Sequence, residues 1–132
     1  MNKEFVPYAE ALALKELGFD EPCFKKYIAG CLWSNPTTHE TYQKIHPNSS
    51  DSLAPLYQQV FRWFREKYVL DSYVKHLYKS TVKVGYFFCI DKTDGIEYHS
   101  MQGTLDSGYF DSYEEAELAC LRKLIEIVKE KL

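Results

Sequence analysis

The stretch VKVGYFFCIDKTDGIEYHSM, residues 82–101, decides the fold class. Val82, Val84, Tyr86, Phe88 and Ile90 alternate with Lys83, Gly85, Phe87 and Cys89. That two-residue period belongs to a strand with one face toward a core. Asp91, Lys92, Thr93, Asp94 and Gly95 follow as a turn, with Gly95 suited to positive φ. Residues 96–101 read as the returning strand, with Ile96, Tyr98 and Ser100 on one face. A hairpin of this kind means antiparallel pairing, and helices that accompany such strands cover one face of the sheet.

Downstream, residues 103–108 are turn-rich. Ser112-Tyr-Glu-Glu115 then matches a capping box, in which the Ser and Glu side chains satisfy each other's unpaired backbone donors. A helix from Tyr113 to about Lys131 follows. Ala116, Cys120, Leu121, Leu124, Ile125, Ile127, Val128 and Leu132 form its buried side. Lys123, Glu126, Lys129 and Glu130 face water.

Upstream, residues 73–78 read as a further strand or an extended lead-in. Pro55 restarts helical structure over residues 56–68. Leu56, Tyr57, Val60, Phe61, Trp63, Phe64 and Tyr68 fall on one broad side of that helix, and Gln58, Gln59, Arg62, Arg65 and Glu66 on the other. Near the beginning, Pro7 suits a first helical turn, residues 8–17 are rich in Ala, Leu, Glu and Lys, and Gly18 supplies the stop. Residues 23–33 read as two short strands around Ala29-Gly30. Between them and Pro55, the Ser, Asn, Pro and Thr of residues 34–52 read as a long polar loop, with residues 39–45 as a short helix inside it. The expectation is one α+β domain, residues 1–132. It holds a small antiparallel sheet of three to five strands, with about three helices packed mainly on one face.

The totals agree with a folded domain. The chain has 132 residues, 45% of them hydrophobic and 16% aromatic, too apolar and aromatic for disorder. A chain of this size buries enough surface to need no disulfide or metal staple. The net charge of −3 argues against a duplex-DNA binder, whose affinity rests on neutralised phosphates. The first residues, MNKEFVP, contain no apolar signal segment, and no run approaches the length of a membrane span. The expected setting is therefore the cytoplasm, with Cys23, Cys31, Cys89 and Cys120 as reduced thiols.

No motif carries recognisable chemistry. Cys23, Cys31, His39 and His46 are metal-ligand types at spacings of 8, 8 and 7. Structural zinc sites instead pair ligands through short spacers, so that one turn grips the ion twice. Cys31 can be drawn with His39 or His99 as a nucleophile and its base, but nothing in the sequence joins them. The carboxylates Asp91, Asp94 and Glu97 are explained by turn chemistry. There is no phosphate-cradling glycine motif. The reading therefore assigns no cofactor, no metal and no catalytic residue.

Two patterns remain for binding. Lys75, His76, Lys79 and Lys83 interleave with Tyr73, Tyr78 and Tyr86, a combination that holds single strands through stacking and charge. Gln58, Gln59, Arg62 and Arg65 form a mild basic stripe on the second helix, and arginine is enriched at interfaces. With His39 and His46 of the polar loop, these four are the candidate interaction residues. Each pattern also has an ordinary explanation as a solvated face.

Three blocks carry a resemblance. They are residues 5–23 (FVPYAEALALKELGFDEPC), 54–68 (APLYQQVFRWFREKY) and 109–125 (YFDSYEEAELACLRKLI). They resemble a family of short, uncharacterised bacterial proteins often found in prophages and other mobile elements. The resemblance covers under half the chain and leaves residues 32–52 unmatched. It implies a bacterial, cytoplasmic, phage-associated protein, and no activity. The first expectation is thus a non-enzymatic interaction or accessory protein with a protein partner or self-association. A single-stranded nucleic-acid-binding module comes second and an enzyme third.

Overall fold

Alternation in residues 82–90 becomes a long strand because β-branched and aromatic side chains fit a pleated, half-buried surface. A computed structural model describes residues 4–33, 50–92, 98–101 and 109–131 of the chain. The element order is α1 (Tyr8–Glu16), β1 (Lys25–Ile28), β2 (Cys31–Trp33), β3 (Ser52–Ala54), α2 (Tyr57–Tyr68), β4 (Leu70–Lys79), β5 (Val82–Lys92), β6 (Tyr98–Met101) and α3 (Tyr113–Lys131). The class is α+β with antiparallel pairing throughout, as the hairpins require. The strands make two sheets of three, in the orders β2-β1-β3 and β4-β5-β6. They fall in two units, residues 1–60 and 61–132.

In the first unit, α1 starts after Pro7, which caps it in extended conformation without a side-chain hydrogen bond. Gly18, at φ 93°, ends it where a side chain would be strained. The β1–β2 hairpin turns on Ala29 and Gly30, both at positive φ (53° and 81°), the pattern of a type I′ turn. The Asp51 carboxylate accepts from the Ala29 N–H at 3.3 Å. Ser52, at the end of the expected polar loop, is buried and opens β3, which pairs antiparallel with β1. Residues 34–49, including the short helix expected at 39–45, lie outside the described residues. The Phe5–Leu56 bridge prolongs the β3 connection: Val6 N–H donates to Pro55 C=O at 2.9 Å and Tyr57 N–H to Glu4 C=O at 3.0 Å. Val6, Leu14, Cys23, Tyr27 and Leu53 are core residues. The buried Tyr27 hydroxyl donates to Val6 C=O at 2.7 Å.

In the second unit, β4 pairs with β5 from Leu70–Lys92 to Lys79–Val82. The strand expected at 73–78 is therefore longer at both ends. Asp91 and Lys92 belong to β5, and the remainder of the expected turn, residues 93–97, lies outside the described residues. Helix α3 packs on β4 and β5. Phe88 and Ile90 of the sheet are buried, as are Leu121, Leu124 and Val128 of the helix. The Ser112 hydroxyl accepts from Glu115 N–H at 3.2 Å, the N-cap bond expected of the capping box. Beyond β6, Phe110 continues the sheet by exchanging two 2.9 Å hydrogen bonds with Tyr86. No helix among the described residues is long and apolar enough to cross a membrane.

Candidate functional site

The β4–β5 hairpin gathers several exposed aromatic and basic side chains. Directly opposed residues of antiparallel strands share a face. One face of this sheet thus carries Ser72, Val74 and His76 of β4 with Ile90, Phe88 and Tyr86 of β5, and this is the face that α3 covers. The other carries Asp71, Tyr73, Lys75 and Leu77 with Asp91, Cys89, Phe87 and Gly85.

Regular alternation would place Lys83 opposite in face to Tyr86. The structure corrects that expectation. Leu77 pairs with Gly85 but Tyr78 pairs with Lys83, so Val84 is an extra residue in β5. Such a bulge re-aims the side chains beyond it. Lys83 is turned to the Tyr86 face, where its ammonium lies 4.4 Å from the Tyr86 ring centroid and donates to the Tyr86 hydroxyl at 2.6 Å.

The result is a row of rings. Tyr78 lies 6.2 Å from His76, His76 lies 5.0 Å from Tyr86, and Tyr86 meets Tyr113 of α3 edge-on at 5.9 Å. Tyr78 is 57% exposed and Tyr113 44%, so both ends of the row are open to solvent. Burial raises the Tyr113 hydroxyl pKa, with the Glu117 carboxylate adding to it. Glu117 is itself pushed up to about 7 by burial and by Glu114. The row therefore has an ammonium over its third ring, Tyr86, and the acidic side chains Glu114 and Glu117 beside its last, Tyr113. Sequence spacing scattered these residues over three elements, β4, β5 and α3. The isolated glycine at position 85 was the available sign of a bulge or close approach nearby.

On the opposite face, the Lys75 ammonium lies 4.9 Å from the Tyr73 ring centroid. The Tyr73 hydroxyl reaches Asp91 at 3.5 Å. Its pKa is raised to about 12, foremost by a side-chain hydrogen bond with Cys89. The basic and aromatic residues of the hairpin are thus divided between two faces. The side chain of Lys79 lies outside the described residues.

The α2 stripe has mixed employment. Gln59 is an internal brace: its amide N–H donates to Pro22 C=O, and its amide oxygen accepts from Leu56 N–H at 3.4 Å and the Cys23 thiol at 3.8 Å. Arg65 approaches the Asp71 carboxylate at 4.0 Å, with both side chains about half exposed. Gln58 and Arg62 are exposed. His39 and His46 lie outside the described residues, as does the side chain of His99.

The four cysteines are unbridged thiols. Burial pushes Cys23 and Cys120 up to about 12, which holds both in the unreactive thiol form at neutral pH. Cys31 is exposed. Among the described residues, no group of three His, Cys, Asp or Glu side chains is arranged to hold a metal ion. No protein-family model, curated protein or solved structure matches the chain.

Proposed function

We propose that this is a non-enzymatic interaction protein that binds a protein partner through the ring surface of the β4–β5 hairpin. The observation that carries the reading is the row Tyr78–His76–Tyr86–Tyr113, open to solvent at both ends and bordered by Lys83. Tyrosines supply contact area at low entropic cost and keep a polar tip for water or a partner. The resemblance to small prophage-borne proteins supports an accessory role in a bacterial cytoplasm. Residues 34–49, expected from the sequence to be polar loop, and the exposed Gln58 and Arg62 of α2 are further contact candidates. The test is affinity capture from a bacterial lysate with the wild type and a Tyr78→Ser/Tyr113→Ser double variant. One reproducible partner, retained by the wild type and lost by the variant, is the expected result. Equal capture by the two would refute the reading.

A second reading, single-stranded nucleic-acid binding, is favoured by Lys75 over Tyr73 and Lys83 over Tyr86, which pair charge with stacking surface. Glu114 and Glu117 beside Tyr113 weigh against it, since they repel phosphates. An anisotropy titration of a labelled oligonucleotide at rising salt decides between the two. Absence of binding at low salt removes this reading.

A further inference from the structure

The ring surface involves side chains, but β4 also presents a backbone edge. Tyr86 directs its N–H and C=O toward Phe110, away from β4. Its partner His76 therefore makes no ladder bond to it, because backbone groups alternate in direction along an antiparallel strand. By the same alternation Lys75 and Tyr73 bond to β5, while His76, Val74, Ser72 and Leu70 point their N–H and C=O groups outward. Strand β4 stands at one end of its sheet. It is ten residues long, whereas β2, β3 and β6 have three, three and four. Proteins usually protect such an edge with shortness, proline, charged side chains or a bulge; β4 carries charges at Asp71, Lys75 and Lys79, which a second strand would have to match. Here the sequence LDSYVKHLYK has no proline, and the single irregularity sits near its far end, between Leu77 and Tyr78.

We propose that the β4 edge pairs antiparallel with β4 of a second copy, joining two sheets into one of six strands about a two-fold axis between the two Tyr73 residues. The sequence selects both the occupant and the register. Centring on Tyr73 sets Asp71 opposite Lys75 of the second copy, twice by symmetry, on one face of the joined sheet. It also sets Ser72 opposite Val74 and Leu70 opposite His76, which matches every outward backbone group from 70 to 76 with another and stops short of the bulge. Centring on Lys75 instead would oppose two ammonium groups. A strand that is charge-complementary to itself reversed is a surface for its own copy. This contact goes beyond the ring surface proposed above, because it is made by backbone groups and by the Asp71–Lys75 face.

Sedimentation velocity over a concentration series tests it, on the wild type and on Lys75→Asp, Asp71→Lys and the double swap Asp71→Lys/Lys75→Asp. The wild type is expected to form a species of twice 15.5 kDa. Each single swap opposes like charges at both symmetric pairs and should weaken dimerisation about tenfold. The double swap restores opposite charges and should restore the dimer. Val74→Pro removes one outward N–H, leaves the β4–β5 ladder intact, and should also give monomers. A wild type that stays monomeric throughout overturns the proposal. So does a dimer that is indifferent to both single swaps. Circular dichroism confirms that the swapped chains fold; should Val74→Pro fail to fold, the charge swaps decide alone.

Discussion

Gly85→Ala tests the packing of the hairpin most directly. In a strand with open space, alanine is favoured over glycine by about 0.5–1 kcal/mol, so the default expectation is mild stabilisation. The surroundings of Gly85 reverse that sign. A Cβ there would stand 2.2 Å from Tyr109 Cδ2, 2.9 Å from Tyr109 Cγ and 2.7 Å from the Phe110 carbonyl oxygen. The ring could swing aside, but the carbonyl is fixed by the paired 2.9 Å hydrogen bonds between Tyr86 and Phe110. Overpacking at a tight site costs about 1–3 kcal/mol. Loosening two backbone hydrogen bonds adds about 1 kcal/mol. The expected loss is therefore about 2–4 kcal/mol, a large part of the stability of a small domain. Urea unfolding followed by circular dichroism should show the midpoint falling by about 1–2 M. The Tyr109→Ala background should reduce the cost by about 1 kcal/mol or more, because the ring contacts are gone and only the carbonyl remains. A Gly85→Ala protein as stable as the wild type would show that Tyr109 and Phe110 do not lie over this glycine, and the edge of the sheet as described would be wrong.

Other outcomes follow from single features. Val69, exposed between α2 and β4, has φ 61°, a conformation that strains a β-branched residue, so Val69→Gly should raise stability by about 1 kcal/mol in the same unfolding assay. Glu117 has its folded pKa raised to about 7, so its ionisation works against folding: the protonated form is favoured, and this contribution is lost as pH rises from the ordinary carboxylate range through 7. Glu117→Gln should therefore gain about 1 kcal/mol over the wild type at pH 8, with the gain vanishing near pH 4, because solvent screens this partly exposed carboxylate. Ser112→Ala removes the α3 cap and should cost about 1 kcal/mol. Brief iodoacetamide treatment of the native protein, read by peptide mass spectrometry, should label Cys31 well before Cys23 or Cys120, and urea should abolish the difference.

Elements announced by local chemistry were legible in the sequence. Gly18 marked the end of α1, Ala29-Gly30 the first turn, the aromatic stripe α2, and Ser112 the start of α3, each through a rule acting within a few residues. What escaped depends on distant partners. Ser52–Ala54 is a strand because β1 and the neighbouring Phe5–Leu56 bridge supply its setting, and three residues opening on a serine carry no period of their own. The division of strands into two sheets is likewise a matter of long-range pairing. Gln59 falls on the polar helix side together with Gln58, Arg62 and Arg65, whereas contacts with Pro22 and Cys23 tie it inward. Of the candidate surface, Tyr78, His76 and Tyr86 could be picked out by composition. Tyr113 and the true face of Lys83 could not, since one comes from another element and the other follows an irregular pairing.

That irregular pairing gives the hairpin an asymmetric tolerance to changes in length. Val84 has no partner in β4, so deleting it would regularise the ladder and leave Lys83 beside Tyr86. Inserting one residue between Leu77 and Tyr78 would give Val84 a partner and invert the tip instead, carrying Tyr78 and Lys83 to the far face while the base of the hairpin kept its phase. The tip and the base of the hairpin can thus diverge separately, and a change of a single codon in number is enough to exchange the chemistry displayed at the tip.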